Sequence, residues 1–328
     1  MIFKNRLCTI VAALLSLVII ALGGCSSMPG NKQATVDVFW DTSLLQNVTR
    51  LTDDGLTKNW AQVSPDGTKM LYCELSKSSQ WNIILLRDVR VPAKTPLVTD
   101  SAYSPAWYNN NNNYLYVTPE GGNSRIIRSA ISGAGKTYVT RNSVGKNDDR
   151  PSIRGEVILF DTETNNGSRQ IVSMKDNGTE ITILGDGHSP SWHPKAAKFV
   201  FIREDNVYEM DMASLQVTEI YSDPKYRCAA PSYSSDGQYI LFQKGAEQKI
   251  SGSVVSKVGG VINKITNVSG TRDRWQIFII KADGTNLSPI TMGNVDSTSP
   301  SWDINNYVYF ISDASGKSEI YRARVNLN

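Results

Sequence analysis

A four-part text of about 40 residues recurs along this 328-residue chain, and no other feature constrains the fold as tightly. Its marker is a Pro-x-aromatic triplet: Pro105-Ala106-Trp107, Pro190-Ser191-Trp192, Pro231-Ser232-Tyr233 and Pro300-Ser301-Trp302, with a weaker form at Pro151-Ser152-Ile153. An earlier copy, Ala61-Gln62-Val63, lacks the proline and the ring. It is still followed by Ser64-Pro65-Asp66-Gly67, just as Tyr233 is followed by Ser234-Ser235-Asp236-Gly237. Six copies therefore begin at 61, 105, 151, 190, 231 and 300, and the last interval, 69 residues, is longer than the other four, which run from 39 to 46.

After each marker comes a short run rich in β-branched and aromatic residues, such as Met70-Leu71-Tyr72, Phe199-Val200-Phe201-Ile202 or Tyr307-Val308-Tyr309-Phe310. Length and composition both read as strand rather than helix. A third strand follows, and the third and fifth copies match best there, Gln170 to Thr179 against Gln276 to Thr285. Both end in Asn-Gly or Asp-Gly, the residues a tight hairpin turn requires. A fourth strand closes each unit except the sixth, where the text runs out after Val325. The missing piece stands before the first copy, at Asn47-Val48-Thr49-Arg50-Leu51-Thr52. Four strands per 40 residues is the period of a propeller blade. The expectation is an all-β, six-bladed β-propeller of four-stranded blades over 47–328, with the ring closed by the N-terminal strand.

The Pro-x-Trp, Ser-Pro-Asp-Gly and Ile-Tyr text resembles the TolB-like (WD40-like) propeller repeats over essentially all of 47–325. The resemblance implies a role in the cell envelope, with envelope proteins, a Tol-Pal-like system or an outer-membrane assembly as partners. TolB itself carries an α/β domain before its propeller, and the expectation here is a propeller without it. Related repeats precede the hydrolase domain of some serine peptidases, but this chain has no Gly-x-Ser-x-Gly.

Ahead of the repeats, residues 1–24 read as a secretion signal: Lys4 and Arg6, then an apolar run from Leu7 to Leu22, then Gly23 and Gly24. The run is short for a membrane-spanning helix, which needs about 20 apolar residues. Leu22-Gly23-Gly24-Cys25 resembles the bacterial lipobox, which implies lipidation of Cys25 and a tether over 25–46. Each buried methylene of the lipid contributes about 0.8 kcal/mol, and two or more chains anchor stably to the membrane. Ser26 after the cysteine implies the outer membrane, facing the periplasm, in a Gram-negative cell.

Without the first 24 residues the chain carries 32 basic and 31 acidic side chains. That balance argues against a nucleic-acid binder. Two histidines, His188 and His193, leave little for a metal, and neither a cofactor nor a catalytic constellation is expected. Trp107, Trp192, Tyr233 and Trp302 recur at one position, so their rings are expected to fill the wedges between blades. Cys73 and Cys228 fall two blades apart and are expected to be free thiols.

The long interval marks an insertion at about 244–274, with Val254 to Val258 and Val261 to Ile265 flanking Gly259-Gly260 as a protruding hairpin. It holds six basic residues, among them Lys257 and Lys264, against Glu247 and Asp273. Loops that join one blade to the next ring the channel mouth and carry function more often than core positions. There Tyr103, Arg150, Tyr226 and Arg227 are of the types that anchor protein interfaces. The reading is a lipid-anchored, monomeric interaction scaffold; the alternative is a glycan- or peptidoglycan-binding module using the channel mouth.

Overall fold

The computed structural model describes residues 39–108, 110–258 and 261–327, with the backbone alone over 247–273. The signal, Cys25 and the Gly259-Gly260 turn lie outside the described residues. The rest forms six antiparallel four-stranded sheets, each in simple sequential order apart from the last. The inner strands are Lys58–Val63, Tyr103–Trp107, Asp149–Arg154, His188–Trp192, Cys228–Tyr233 and Ser297–Trp302, one for each of blades 1 to 6.

Blade 6 takes its outer strand from the start of the chain. Leu45–Arg50 pairs antiparallel with Glu319–Val325, from Leu45 against Val325 to Arg50 against Tyr321. The closing strand thus begins two residues before the expected Asn47, and closure removes the open edges that a ring of sheets would otherwise expose. Before it, Phe39 to Asp41 lies along the outer edge of blade 5: Trp40 bridges Thr291, and the Met292 amide donates to the Phe39 carbonyl at 2.8 Å.

The core sits in the wedges between blades. One wedge combines Ala61, Val63, Met70 and Tyr72 of blade 1 with Tyr309, Ile311 and Ile320 of blade 6. Another combines Leu115 and Val117 of blade 2 with Ile158 and Phe160 of blade 3. The recurring rings are wedge fillers: Trp107, Tyr233 and Trp302 are buried. Trp107 Nε1 donates to the Gln62 carbonyl of the preceding blade at 2.9 Å, and Trp192 Nε1 likewise to Val157 at 3.2 Å. Cys73 and Cys228 are buried free thiols on blades 1 and 5, and burial pushes the Cys228 thiol up to about 12. In the asparagine run, Asn110 Oδ1 accepts the amides of Asn112 and Asn113 and so forms the turn.

The insertion continues two blade-5 strands outward as one ribbon. Tyr239–Val258 pairs with Val261–Lys281 from Tyr239 against Lys281 to Val258 against Val261. Second strands end, and inner strands begin, on the same face of the ring, called the upper face below. The ribbon therefore rises from the face that also carries the connections between blades.

Candidate functional site: the channel belt and the ribbon root

Every inner strand carries the same irregularity. Its pairing slips once, and the residue at the slip has a positive φ although none is glycine: Trp60, Ser104, Arg150, Ser189, Ala230 and Ser299, all between 48° and 55°. In five of the six the next residue is proline, which disfavours the right-handed α region for the residue before it. Left-handed backbone costs a non-glycine residue about 1–2 kcal/mol, so it persists only where the surroundings fix it. The bulge turns backbone amides toward the neighbouring blade and the channel.

What fixes the bulges alternates around the ring. The second-strand residue paired just before each slip reads Cys73, Val117, Asp161, Ile202, Gln243 and Ile311 in blades 1 to 6. Only the odd blades carry a hydrogen-bonding side chain there, and Asp161 and Gln243 reach the bulge serine of the following even blade. The Ser189 amide donates to Asp161 at 2.9 Å and the Ser299 amide to Gln243 Oε1 at 2.9 Å, while the Cys73 thiol donates to the Ala102 carbonyl at 3.8 Å, two residues before the Ser104 bulge. Two of the serines then donate onward to the next blade: Ser104 Oγ to Asp149 at 2.5 Å and Ser299 Oγ to Asn59 at 3.0 Å. The chain of contacts breaks at blade 5, where the equivalent residue is Ala229. The belt is therefore three two-blade units rather than six equal ones, and the best-matching sequence copies, the third and fifth, are both odd.

Blade 3 alone places charge in this belt. Asp161 has no exposed side-chain surface and accepts both a hydrogen bond from Arg169 Nε and, at 3.2 Å to each oxygen, Arg150 Nη1. Burial pushes the Asp161 carboxyl up to about 6, while the two guanidiniums pull it the other way. His188 is held neutral, its imidazole lowered to about 4 by burial and by Arg150 and Arg169. The belt surrounds a cavity of about 470 Å³ on the channel axis, lined by residues of all six blades, including Asn59, Trp60, Arg150, His188, Gln243 and Ser299. Among the described residues no group of three or more His, Cys, Asp and Glu side chains stands close enough together to hold a metal ion.

The structure distributes the sequence-selected residues over two places. Arg150 lines the cavity, and Tyr103 sits beside it at the lip, its ring 5.7 Å from Trp60, which in turn lies 5.3 Å from Trp81. Tyr226 and Arg227 instead flank the ribbon root. Lys244 lies 5.4 Å over the Tyr226 ring and 2.8 Å from Asp223, and Arg227 lies 5.7 Å over Trp275. On the other side of the root, Arg274 contacts Asp296 at 2.5 Å and Asp313 at 3.4 Å. Lys257 and Lys264 stand on the two strands of the ribbon, paired with Ile262 and Ser256. Sequence reasoning missed Asn59 and Gln243; the alternation of polar and apolar residues in the aligned second strands is the signal that marks Gln243.

No protein-family model matches the chain, and no curated protein matches it. Solved structures do. A protein of Agrobacterium tumefaciens assigned as a TolB superposes with a TM-score of 0.58 at 13% identity, covering 86% of this chain and 97% of that one. TolB of Acinetobacter baumannii gives 0.55 at 15%, covering 80% of this chain and 66% of that one. A gluconolactonase of Xanthomonas campestris gives 0.61 at 10%, covering 90% and 99%. At these identities the likeness is one of fold, and the fold is that of the TolB-like propeller, found in TolB proteins and in a gluconolactonase alike.

Proposed function

We propose that this propeller is a non-catalytic scaffold of the cell envelope, anchored through lipid on Cys25, that docks another envelope protein on its upper face. One observation carries the reading: the basic ribbon and the aromatic lip of the channel, two separately selected features, converge on a single face. The root of the ribbon is braced from both sides, by Lys244 with Asp223 and by Arg274 with Asp296 and Asp313. A braced root presents an arm at less entropic cost on binding. The tether joins the body on the same blade, with Phe39 level with Met292 at the upper end of its outer strand. Phe39 and the ribbon root thus share one sector of the ring. Similarity of fold to TolB supports the envelope setting.

The test is a crosslinking capture from native envelopes, comparing the intact lipidated chain with one lacking 248–270. A defined protein recovered by the first and lost from the second supports the scaffold. Recovery only of cell-wall saccharides, indifferent to the deletion, moves the function to glycan binding at the channel mouth.

A further inference from the structure

Three polar side chains that line the channel, Asn59, Gln243 and Arg150, turn donors toward it, and the reason lies in the bulges. Asn59 Oδ1 accepts the Trp60 amide at 2.9 Å and the Ser299 hydroxyl at 3.0 Å, and Gln243 Oε1 accepts the Ser299 amide at 2.9 Å. Those contacts fix each side-chain amide with its oxygen turned into the wall. The NH₂ groups, Asn59 Nδ2 and Gln243 Nε2, are left on the cavity with no hydrogen-bond partner among the described residues. Arg150 follows the same rule. Its Nη1 is held by Asp161 and its Nε faces Asp149 at 3.7 Å, while Nη2 has no partner among the described residues and a third of the side chain remains accessible on the cavity. The carboxylates of the belt are committed elsewhere: Asp161 to two arginines and the Ser189 amide, Asp149 to the Ser104 hydroxyl and the Arg150 amide.

A guanidinium edge and two amide NH₂ groups on one cavity favour a ligand rich in acceptors. A carboxylate is acceptor-only, offers about four lone-pair sites, and matches the planar guanidinium in particular. We infer that the channel belt is a carboxylate site, in which Arg150 Nη2, Asn59 Nδ2 and Gln243 Nε2 receive the acidic side chains of a protein segment laid over the lip from the upper face. This rests on the scaffold reading. A segment is favoured over a free small acid because the Trp60, Trp81 and Tyr103 rings extend the cavity onto the face that carries the ribbon, giving an entering chain a surface to pack on.

The probes are acetyl-tetraglutamate, acetyl-tetraglutamine and citrate, titrated calorimetrically against the full chain at low ionic strength. The variants are Arg150→Gln, Asn59→Asp and Gln243→Glu; the last two keep the acceptor that holds the bulge and replace only the donor facing the cavity. Tetraglutamate is expected to bind at least tenfold more tightly than tetraglutamine, and each variant to weaken it at least tenfold, with the urea midpoint unchanged in Asn59→Asp and Gln243→Glu and lowered in Arg150→Gln, which also removes a partner of the buried Asp161. Equal binding of the two peptides, no tetraglutamate binding at millimolar concentration, or indifference to all three variants overturns the inference. Citrate binding more tightly than tetraglutamate, with the same variant sensitivity, overturns the peptide as occupant. Loss of the captured partner on deleting 248–270 does not depend on these titrations, so the scaffold reading stands or falls separately.

Discussion

The ammonium of Lys58, in the first inner strand, stands 3.1 Å from the carboxylate of Glu319, in the last blade, and neither side chain has any solvent exposure. Lys58 Nζ also donates to Asp54 at 2.6 Å and to the Leu56 and Ser318 carbonyls. Glu319 accepts the Thr52 hydroxyl at 2.5 Å and the Gly55 amide at 2.7 Å. The pair thus ties together the closing strand, the loop after it, blade 1 and blade 6. Buried charges of this kind stand only when every remaining donor and acceptor is satisfied, and here they are.

Removing one partner leaves the other charge buried. Lys58→Met is expected to destabilise by about 3–5 kcal/mol, and Lys58→Met with Glu319→Leu by less than the sum of the two single changes. Urea denaturation of the four proteins measures this.

Two groups of the belt titrate in opposite senses. His188 binds a proton below about 4 when folded and 6.5 when unfolded, so its contribution is present above pH 6.5 and lost as pH falls toward 4, by roughly 2–3 kcal/mol. Asp161 binds its proton below about 6 when folded and 3.8 when unfolded, so its contribution is present below pH 3.8 and lost as pH rises through 6. Between pH 4 and 6.5 the two offset each other. Relative to wild type, His188→Gln is expected to gain stability as pH falls across this window and Asp161→Asn to lose it; parallel curves for all three would refute the assignment.

Gly187 has a φ of 145°, and an added Cβ would meet the Phe201 ring at 2.7 Å and the Ile202 carbonyl at 2.9 Å. Gly187→Ala forces the bulge and the second strand of blade 4 apart, and about 1–3 kcal/mol of destabilisation is expected from the overpacking. Thermal unfolding is the measurement, with Gly155→Ala as the comparison, since nothing stands within 4 Å of a Cβ there and only its φ of 60° is strained.

Trp107→Phe keeps most of the wedge filled but removes the hydrogen bond from Nε1 to the Gln62 carbonyl. A loss of about 0.5–1.5 kcal/mol is expected from urea unfolding. Trp302→Phe is expected to cost less from this source, because Trp302 Nε1 is buried without a partner.

Cys25→Ser is expected to reduce the membrane-bound share of the protein, because the lipid proposed on Cys25 is then absent. Cell fractionation and the mass of the mature N-terminus check this together.

The sequence by itself determined the blades. Short runs of β-branched and aromatic residues, turn residues at fixed offsets and six repeats of one text specify strands and their order, because strand pairing between neighbours in sequence is local. It also placed the missing outer strand, since a ring with an unpaired last blade would expose a sheet edge. The tertiary structure alone decided which polar atoms face the channel. Asn59 and Gln243 are unremarkable as text, and Arg150 stands out there only as an interface-type residue in a loop between blades. Their chemistry follows from the left-handed bulges: the Trp60 amide of the same strand and the Ser299 amide of the next blade consume the oxygens of Asn59 and Gln243, while Asp161 holds one end of the Arg150 guanidinium. That partition depends on contacts between residues as far apart as Asn59 and Ser299, 240 positions along the chain, and only closing the ring brings them together.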